Sequence, residues 1–393
     1  MNEHRAVAAT MAVLIVTGAG CSTSVPRPVV HHPANSAASA RTRPCPPSLP
    51  MHRRESTPWP SRMVLRESPT DAASSQVVDP GAGAVFLLAS TTNTPGNSPW
   101  VLCQISLATG AVRLGKTFRA GGLAMASGYL WAYPGAGPTA QPVVSEVNPV
   151  TLARIRPIPL PRAPANFGLP AAVTAGPMGS VWIGYYRTLL RVDAATGRAL
   201  ARVTLPPGLA VGNNAVAASG TSLYASATHV AKDGGMAGLV VLQYDARSGR
   251  RLAEASDGLI RYSVAGADLT AVPGGVWASF RTGMMGLTIH LGANGLPMIT
   301  PPGPRIGLTP PTGVFHWPMD AATSYGGGAL WVANEAAIVA CLDPRTGTVR
   351  GSEHLPQFQG NSGFEAIDPA ARTIFAFGDG GLLQITPPRR CWH

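Results

Sequence analysis

The sequence predicts an all-β protein, a seven-bladed β-propeller of four-stranded antiparallel blades whose ring is closed by an N-terminal strand. Three observations carry this prediction. A unit made of an apolar strand with an embedded aromatic, a second apolar strand and a D-x-x-T-G-like turn recurs seven times between residues 84 and 387. The aromatic positions, Phe86, Trp131, Trp182, Tyr224, Trp277, Trp331 and Phe375, lie 42 to 54 residues apart, near the period of a propeller blade. Composition agrees: 45 Gly and 38 Pro among 393 residues, with only 12% charged, suit many short strands joined by tight turns.

Each copy can be read strand by strand. A run such as AAVTAGP or DLTAVPG supplies the inner strand, and the aromatic run that follows supplies the second. In VWIGYY and LWVANE the aromatic alternates with small or polar residues, the period of two expected of a strand packed between neighbouring blades. The seven aromatics therefore read as interblade core rather than as a cofactor box. In the turns DAATG, DARSG, DPRTG, LATG and GANG, the Asp or its equivalent accepts backbone N–H groups. The Gly then takes the left-handed conformation that closes a hairpin with a bulge. An outer strand such as RALARVTL completes the blade. The last copy ends at PPRRCWH with no room for that strand, and RMVLRES, residues 62–68, is expected to supply it and remove the free sheet edges.

Ahead of the repeats, MNEHR, the apolar AVAATMAVLIV and TGAGC have the order of a secretory signal, too short to span a bilayer. Cys21, after Gly18, Ala19 and Gly20, resembles the acylated cysteine of a bacterial lipobox, with Gly18 where Leu or Val is usual. The expected organisation is a signal peptide (1–20), a disordered Arg/Pro/Ser-rich tether (21–56) and one propeller (57–393). The chain is expected outside the cytoplasm, lipid-anchored to the cell membrane or otherwise secreted.

The formal charge is +11, and residues 21–66 hold seven Arg against one acid, Glu55, so about half of the excess, +6, sits in this Pro/Ser/Ala-rich segment. No cluster of Arg and Lys interleaved with aromatics appears on a folded segment, which argues against nucleic-acid binding. Besides Cys21 there are Cys45, Cys103, Cys341 and Cys391, an even number in an oxidising compartment. Three pairings are open; Cys45 with Cys391 is favoured, because the two flank the folded part. None has the C-x-x-C spacing of a zinc or redox site.

The repeated G-x-LWV…DxxTGxV unit resembles the seven-bladed propellers of the YVTN, virginiamycin B lyase-like and quinoprotein-like repeat families, over roughly residues 78–388. That resemblance speaks to fold and leaves activity open, since such propellers include binding modules, lyases and dehydrogenases. Streptogramin lyases use a histidine and acidic residues near the propeller axis with a divalent metal, but no compact His/Glu repeat here matches that site residue by residue. The adjacent cysteine pair of quinoprotein dehydrogenases is missing.

Function is sought where the loops entering the inner strands ring the mouth of the channel. Those positions hold Phe167, Asn213, Asn214, Asp268, Phe315, His316, Trp317, Asp320, Asn361, Phe364 and Glu365, densest in FHWPMD. An aromatic and polar rim of this kind suits a non-catalytic binding or scaffolding module with no cofactor, taking an extracellular protein, glycan or small molecule. The alternative is a Mg²⁺-dependent lyase in which His316 works with Asp320 or Glu365 as an acid/base pair.

Overall fold

The structure, a computed structural model, describes residues 59–65, 73–90, 100–118, 120–134, 142–164, 171–230, 236–256, 268–282, 285–292, 321–334, 338–355, 363–378 and 381–392. It is all-β and arranged as a β-propeller. The chain opens with β1 (Ser61–Leu65). Sheet one follows as β2 (Ala73–Asp79), β3 (Ala84–Ser90), β4 (Trp100–Ser106) and β5 (Val112–Phe118), and sheet two as β6 (Gly122–Ala126), β7 (Tyr129–Tyr133), β8 (Val143–Val147) and β9 (Arg154–Pro159). Sheet three has β10 (Ala172–Ala175), β11 (Ser180–Tyr185), β12 (Thr188–Asp193) and β13 (Ala199–Thr204). Sheet four has β14 (Leu209–Ser219), β15 (Ser222–Val230), β16 (Met236–Asp245) and β17 (Arg251–Ser256), and sheet five β18 (Asp268–Val272), β19 (Gly275–Thr282) and β20 (Met285–Gly292). Sheet six has β21 (Ala321–Gly326), β22 (Ala329–Asn334), β23 (Ile338–Leu342) and β24 (Val349–His354). Sheet seven joins β25 (Gly363–Asp368), β26 (Thr373–Gly378) and β27 (Gly381–Ile385) to β1.

Six sheets thus have four strands each, against the seven complete blades expected. The fifth has three among the described residues, and residues 293–320, which follow β20, lie outside them. Within each sheet the strands pair as consecutive antiparallel neighbours, except that β1 joins the far end of the chain, with Ser61 opposite Ile385 and Met63 opposite Leu383. The first strands of successive sheets lie beside one another from β2 to β25, and β25 lies beside β2.

The seven repeated aromatics all fall on the second strand of their sheets and all are buried. They share a core with residues of the neighbouring sheet: Trp182 with Leu209 and Tyr244, and Trp277 with Leu330 and Leu342. Alternation places them there, because one face of each sheet has to fill the wedge against the next.

The turns have the expected chemistry. Asp193, Asp245 and Asp343 accept the amides of Thr196, Ser248 and Thr346 at 2.7, 2.7 and 3.0 Å, and Asn148 accepts that of Thr151 at 2.8 Å. The ladder shifts register just beyond these turns, at Arg191/Val192, Gln243/Tyr244 and Cys341/Leu342. Gly197 has φ +67°, so the backbone favours glycine, and a Cβ there would have to displace the end of the Arg156 side chain.

One expectation is corrected. Cys391 is bonded to Cys341 and not to Cys45, with a Cα–Cα distance of 5.6 Å. The tight turn Arg389–Cys391 carries the chain across to sheet six, where Trp392 packs on Trp331 with ring centroids 5.0 Å apart. Trp59, ahead of β1, meets Trp331 edge-on at 6.5 Å. Both ends of the described fold therefore converge on sheet six. Cys103 is also disulfide-bonded.

Candidate binding face

Two ends of the molecule can be distinguished from hydrogen bonds alone. The hairpin between the first two strands and the Asp-type turn between the last two meet at one end of each sheet: Leu107 N donates to Gly83 O at 2.8 Å, Ala194 N to Gly179 O at 3.0 Å and Ala246 N to Thr221 O at 2.7 Å. This is the turn end. Antiparallel alternation puts the starts of the inner strands at the opposite, mouth end, where the candidate residues were sought.

Of those candidates, Phe167, Phe315, His316, Trp317, Asp320 and Asn361 lie outside the described residues. Asn213 and Asn214 fall within β14, where the ladder breaks between Val211 and Val216, rather than in a loop before it. Glu365 is the residue skipped where the β25 ladder shifts between Phe364 and Ala366. Phe364 is half-buried against the core that contains Trp331 and Ile374. Asp268 opens β18, half-buried and opposite Ser279.

Three of the inner strands are built of small and neutral residues, AVTA in β10, GLAMA in β6 and AATSYG in β21, while β2, β18 and β25 carry Asp79, Asp268, and Glu365 with Asp368. Strands converging on an axis need small side chains to approach one another. Between sheets five and six the Thr270 hydroxyl donates to Thr323 O at 2.9 Å and lies 2.8 Å from the Thr323 hydroxyl. Among the described residues no three His, Cys, Asp or Glu side chains gather as a metal site would require.

The ionisable groups with displaced equilibria cluster elsewhere. Hydrogen bonds from the Thr196 hydroxyl and amide hold the Asp193 carboxyl below the usual range, and those from Ser248 do the same for Asp245. Burial pushes the Asp343 carboxyl up, but the Arg350 guanidinium at 2.6 Å and the Thr346 and Arg345 amides outweigh it and hold the pKa at about 2. Glu146 on β8 is 1% exposed, and burial raises its pKa against the pull of Arg156, whose Nη1 lies 3.1 Å away as an ion pair without an aligned hydrogen bond. These are fastenings of the turn end and of the sheets.

The fastenings run from one sheet to the next, which the sequence reading missed. In sheets two, three and four the carbonyl two residues after the turn's Asn or Asp accepts an arginine of the preceding sheet. Arg113 donates to Val150, both terminal nitrogens of Arg156 donate to Ala195 at 3.2 Å, and Arg191 donates to Arg247 at 2.5 Å. The carbonyl one residue earlier accepts an indole: Trp182 donates to Ala246 at 2.9 Å, and Trp277 to Pro344 at 2.7 Å. The arginines stand at different offsets from their own turns, so no spacing in the sequence marks them. A shallow cleft of about 290 Å³ at the β1–β27 seam is lined by Pro60, Ser61, Arg62, Gln384 and Thr386, with Arg62 bonded to Gln384.

No family model and no curated protein matches the chain. Solved structures do. BamB from Moraxella catarrhalis, a β-propeller, superposes with a TM-score of 0.50 over 83% of this chain and 86% of its own, at 13% identity. U3-55K superposes with a TM-score of 0.55 over 83% of this chain and 98% of its own, at 11% identity. At such identities the likeness is one of fold: this chain is a β-propeller.

Proposed function

We propose that the protein is an extracytoplasmic, membrane-anchored binding or scaffolding module, a seven-bladed ring closed by β1, which takes an extracellular partner at its mouth end without chemistry. The observation that carries the binding reading is the make-up of β6, β10 and β21, whose small uncharged residues approach the axis, with Asp268 on β18 and Glu365 on β25 as acidic positions among them. Hydroxyls such as those of Thr270 and Thr323 bond to one another across sheets, and every displaced ionisable group described above sits at the turns or within the sheets. The adjacency of β25 to β2 and the β1–β27 pairing support a closed ring. The signal-like residues 1–20 support export.

Cysteine bookkeeping is consistent with an acylated Cys21. With Cys341 and Cys391 bonded to each other, Cys103 has Cys21 and Cys45 as its remaining partners in the chain, and acylation of Cys21 would leave Cys45.

The competing proposal, a Mg²⁺-dependent lyase resembling the streptogramin lyases, would draw on His316 with Asp320 or Glu365. One experiment separates the two. Melting is measured with Mg²⁺ and with chelator for the wild-type chain and for His316→Ala/Glu365→Ala, and photo-crosslinking residues are placed at 268 and 178 in cells. The binding reading expects melting insensitive to metal and adducts from 268. A Mg²⁺-dependent rise in melting temperature that the double substitution abolishes would establish the lyase instead.

A further inference from the structure

The geometry points to the turn end as a surface that seats on a bilayer bearing anionic phospholipid headgroups, so that the mouth end faces away from the membrane. The exposed large aliphatics of the described residues gather at this end and on the outer strands that leave it. Val150, 70% exposed, is in the sheet-two turn, and Met178, 74% exposed, is in the sheet-three hairpin. Ile155, Leu200 and Leu252 each stand seven residues after the turn-opening Asn148, Asp193 or Asp245, at the point where the ladder skips a residue. The repeated bulge turns these three side chains outward on neighbouring sheets.

Cations accompany them. From Pro80 to Val192 the sequence holds eight Arg and Lys against one carboxylate, Glu146, which is buried. The outer surface of sheets one and two offers Arg113, Lys116 and Arg154 beside Leu114, Val150 and Ile155, while the carboxylates that flank this stretch, Asp79 and Asp193, are half-buried and accept the Ala82 amide and the Thr196 amide and hydroxyl within their own turns. Aliphatic side chains set among cations are what interfacial binding to anionic lipid requires, the cations drawing the surface in and the side chains entering the headgroup layer. The start of the described fold agrees. Pro60 O accepts the Thr386 amide at 2.8 Å where β27 ends, so the first residue of β1, Ser61, lies at the turn end.

The inference rests on the proposed extracytoplasmic, anchored reading only for the presence of a membrane, and its test is independent of acylation. The full chain with Cys21→Ser is sedimented with phosphatidylglycerol/phosphatidylcholine vesicles and with pure phosphatidylcholine vesicles, and the ratio of the two partition coefficients is read. That ratio is expected to exceed one. It should fall about thirtyfold in Lys116→Glu/Arg154→Glu, since each reversed cation removes at least one basic contribution. In Ile155→Ser/Leu200→Ser, partition to the anionic vesicles should fall about tenfold. Lys116→Gln/Arg154→Gln, with unchanged melting, guards against a folding artefact. An equal ratio in wild type and charge variants overturns the inference. So does tighter binding to soluble polyglutamate than to vesicles, which marks an acidic protein partner. Insensitivity to the serine variants reduces the contact to a headgroup attraction and overturns seating.

Discussion

The indole N–H of Trp182 donates to the carbonyl of Ala246, 64 residues further on and in the turn of the next sheet, at 2.9 Å. Trp277 repeats the contact with Pro344. A residue that reads in sequence as a hydrophobic wedge is therefore also a directional fastening, and the acceptor is supplied by the motif that makes the adjacent turn.

Trp182→Phe keeps most of the apolar volume and removes that donor, leaving the carbonyl of the buried Ala246 without its indole. The expected loss is about 1–2 kcal/mol, read as a lower denaturant midpoint at unchanged slope. A loss below about 0.3 kcal/mol would mean that packing alone matters here.

Arg191 binds three acceptors, Ser180 Oγ at 2.8 Å, Arg247 O at 2.5 Å and Pro177 O at 3.1 Å. Burial and the neighbouring Arg247 lower its pKa, while Asp245 works the other way. A lysine cannot span that fork, so Arg191→Lys should cost about 2 kcal/mol despite keeping the charge. Equal stability of the two proteins would contradict this fork.

The Asp343 carboxyl, held at about 2 against 3.8 in an unstructured chain, contributes stability that is complete above the unfolded value and lost as pH falls through 3.8 towards 2. After allowing for its partial solvent contact the contribution is about 1 kcal/mol. Asp343→Asn should be less stable than wild type at pH 6, and the gap should close by about pH 2. A gap independent of pH would contradict a folded-state pKa held below the unfolded one.

Removing the Cys341–Cys391 bridge, which spans 50 residues, with Cys391→Ser should lower stability by about 2–4 kcal/mol. Non-reducing peptide mapping should return these two cysteines joined; recovery of Cys45 with Cys391 would restore the pairing favoured on sequence.

Deleting residues 59–65 strips β1 from β27 and removes Trp59 from the Trp331–Trp392 cluster. Cooperative thermal unfolding should broaden or disappear; an unchanged transition would place the stabilising seam elsewhere.

What could be read from the sequence was what repeats. The buried aromatics, the Asp and Gly of the turns and the supply of a strand by residues near 62–65 were each visible because a local pattern recurs or conspicuously fails to. Cys391 was misassigned because its partner depends on how a short terminal turn folds back, which no periodicity records. Arg113, Arg156 and Arg191 escaped for a related reason: each reaches the neighbouring sheet from a different strand position, so geometry alone unites them. At the mouth, Asp268 was legible as the start of an inner strand. Asn213, Asn214 and Phe364 were read as loop residues because the strands extend past the turn-like GNN and NSG signals, Phe364 meeting the core.

The position of β1 also has a mechanical consequence. Its first residue lies at the turn end and pairs with the last residue of β27, so a pull applied through residue 59 away from that end runs along the strand axis. The inter-strand bonds would then bear the load together in shear instead of parting one by one, and rupture would be governed by the unfolding barrier rather than by equilibrium stability. A protein pulled through Trp59 would hold its shape under force far longer than one pulled by a loop.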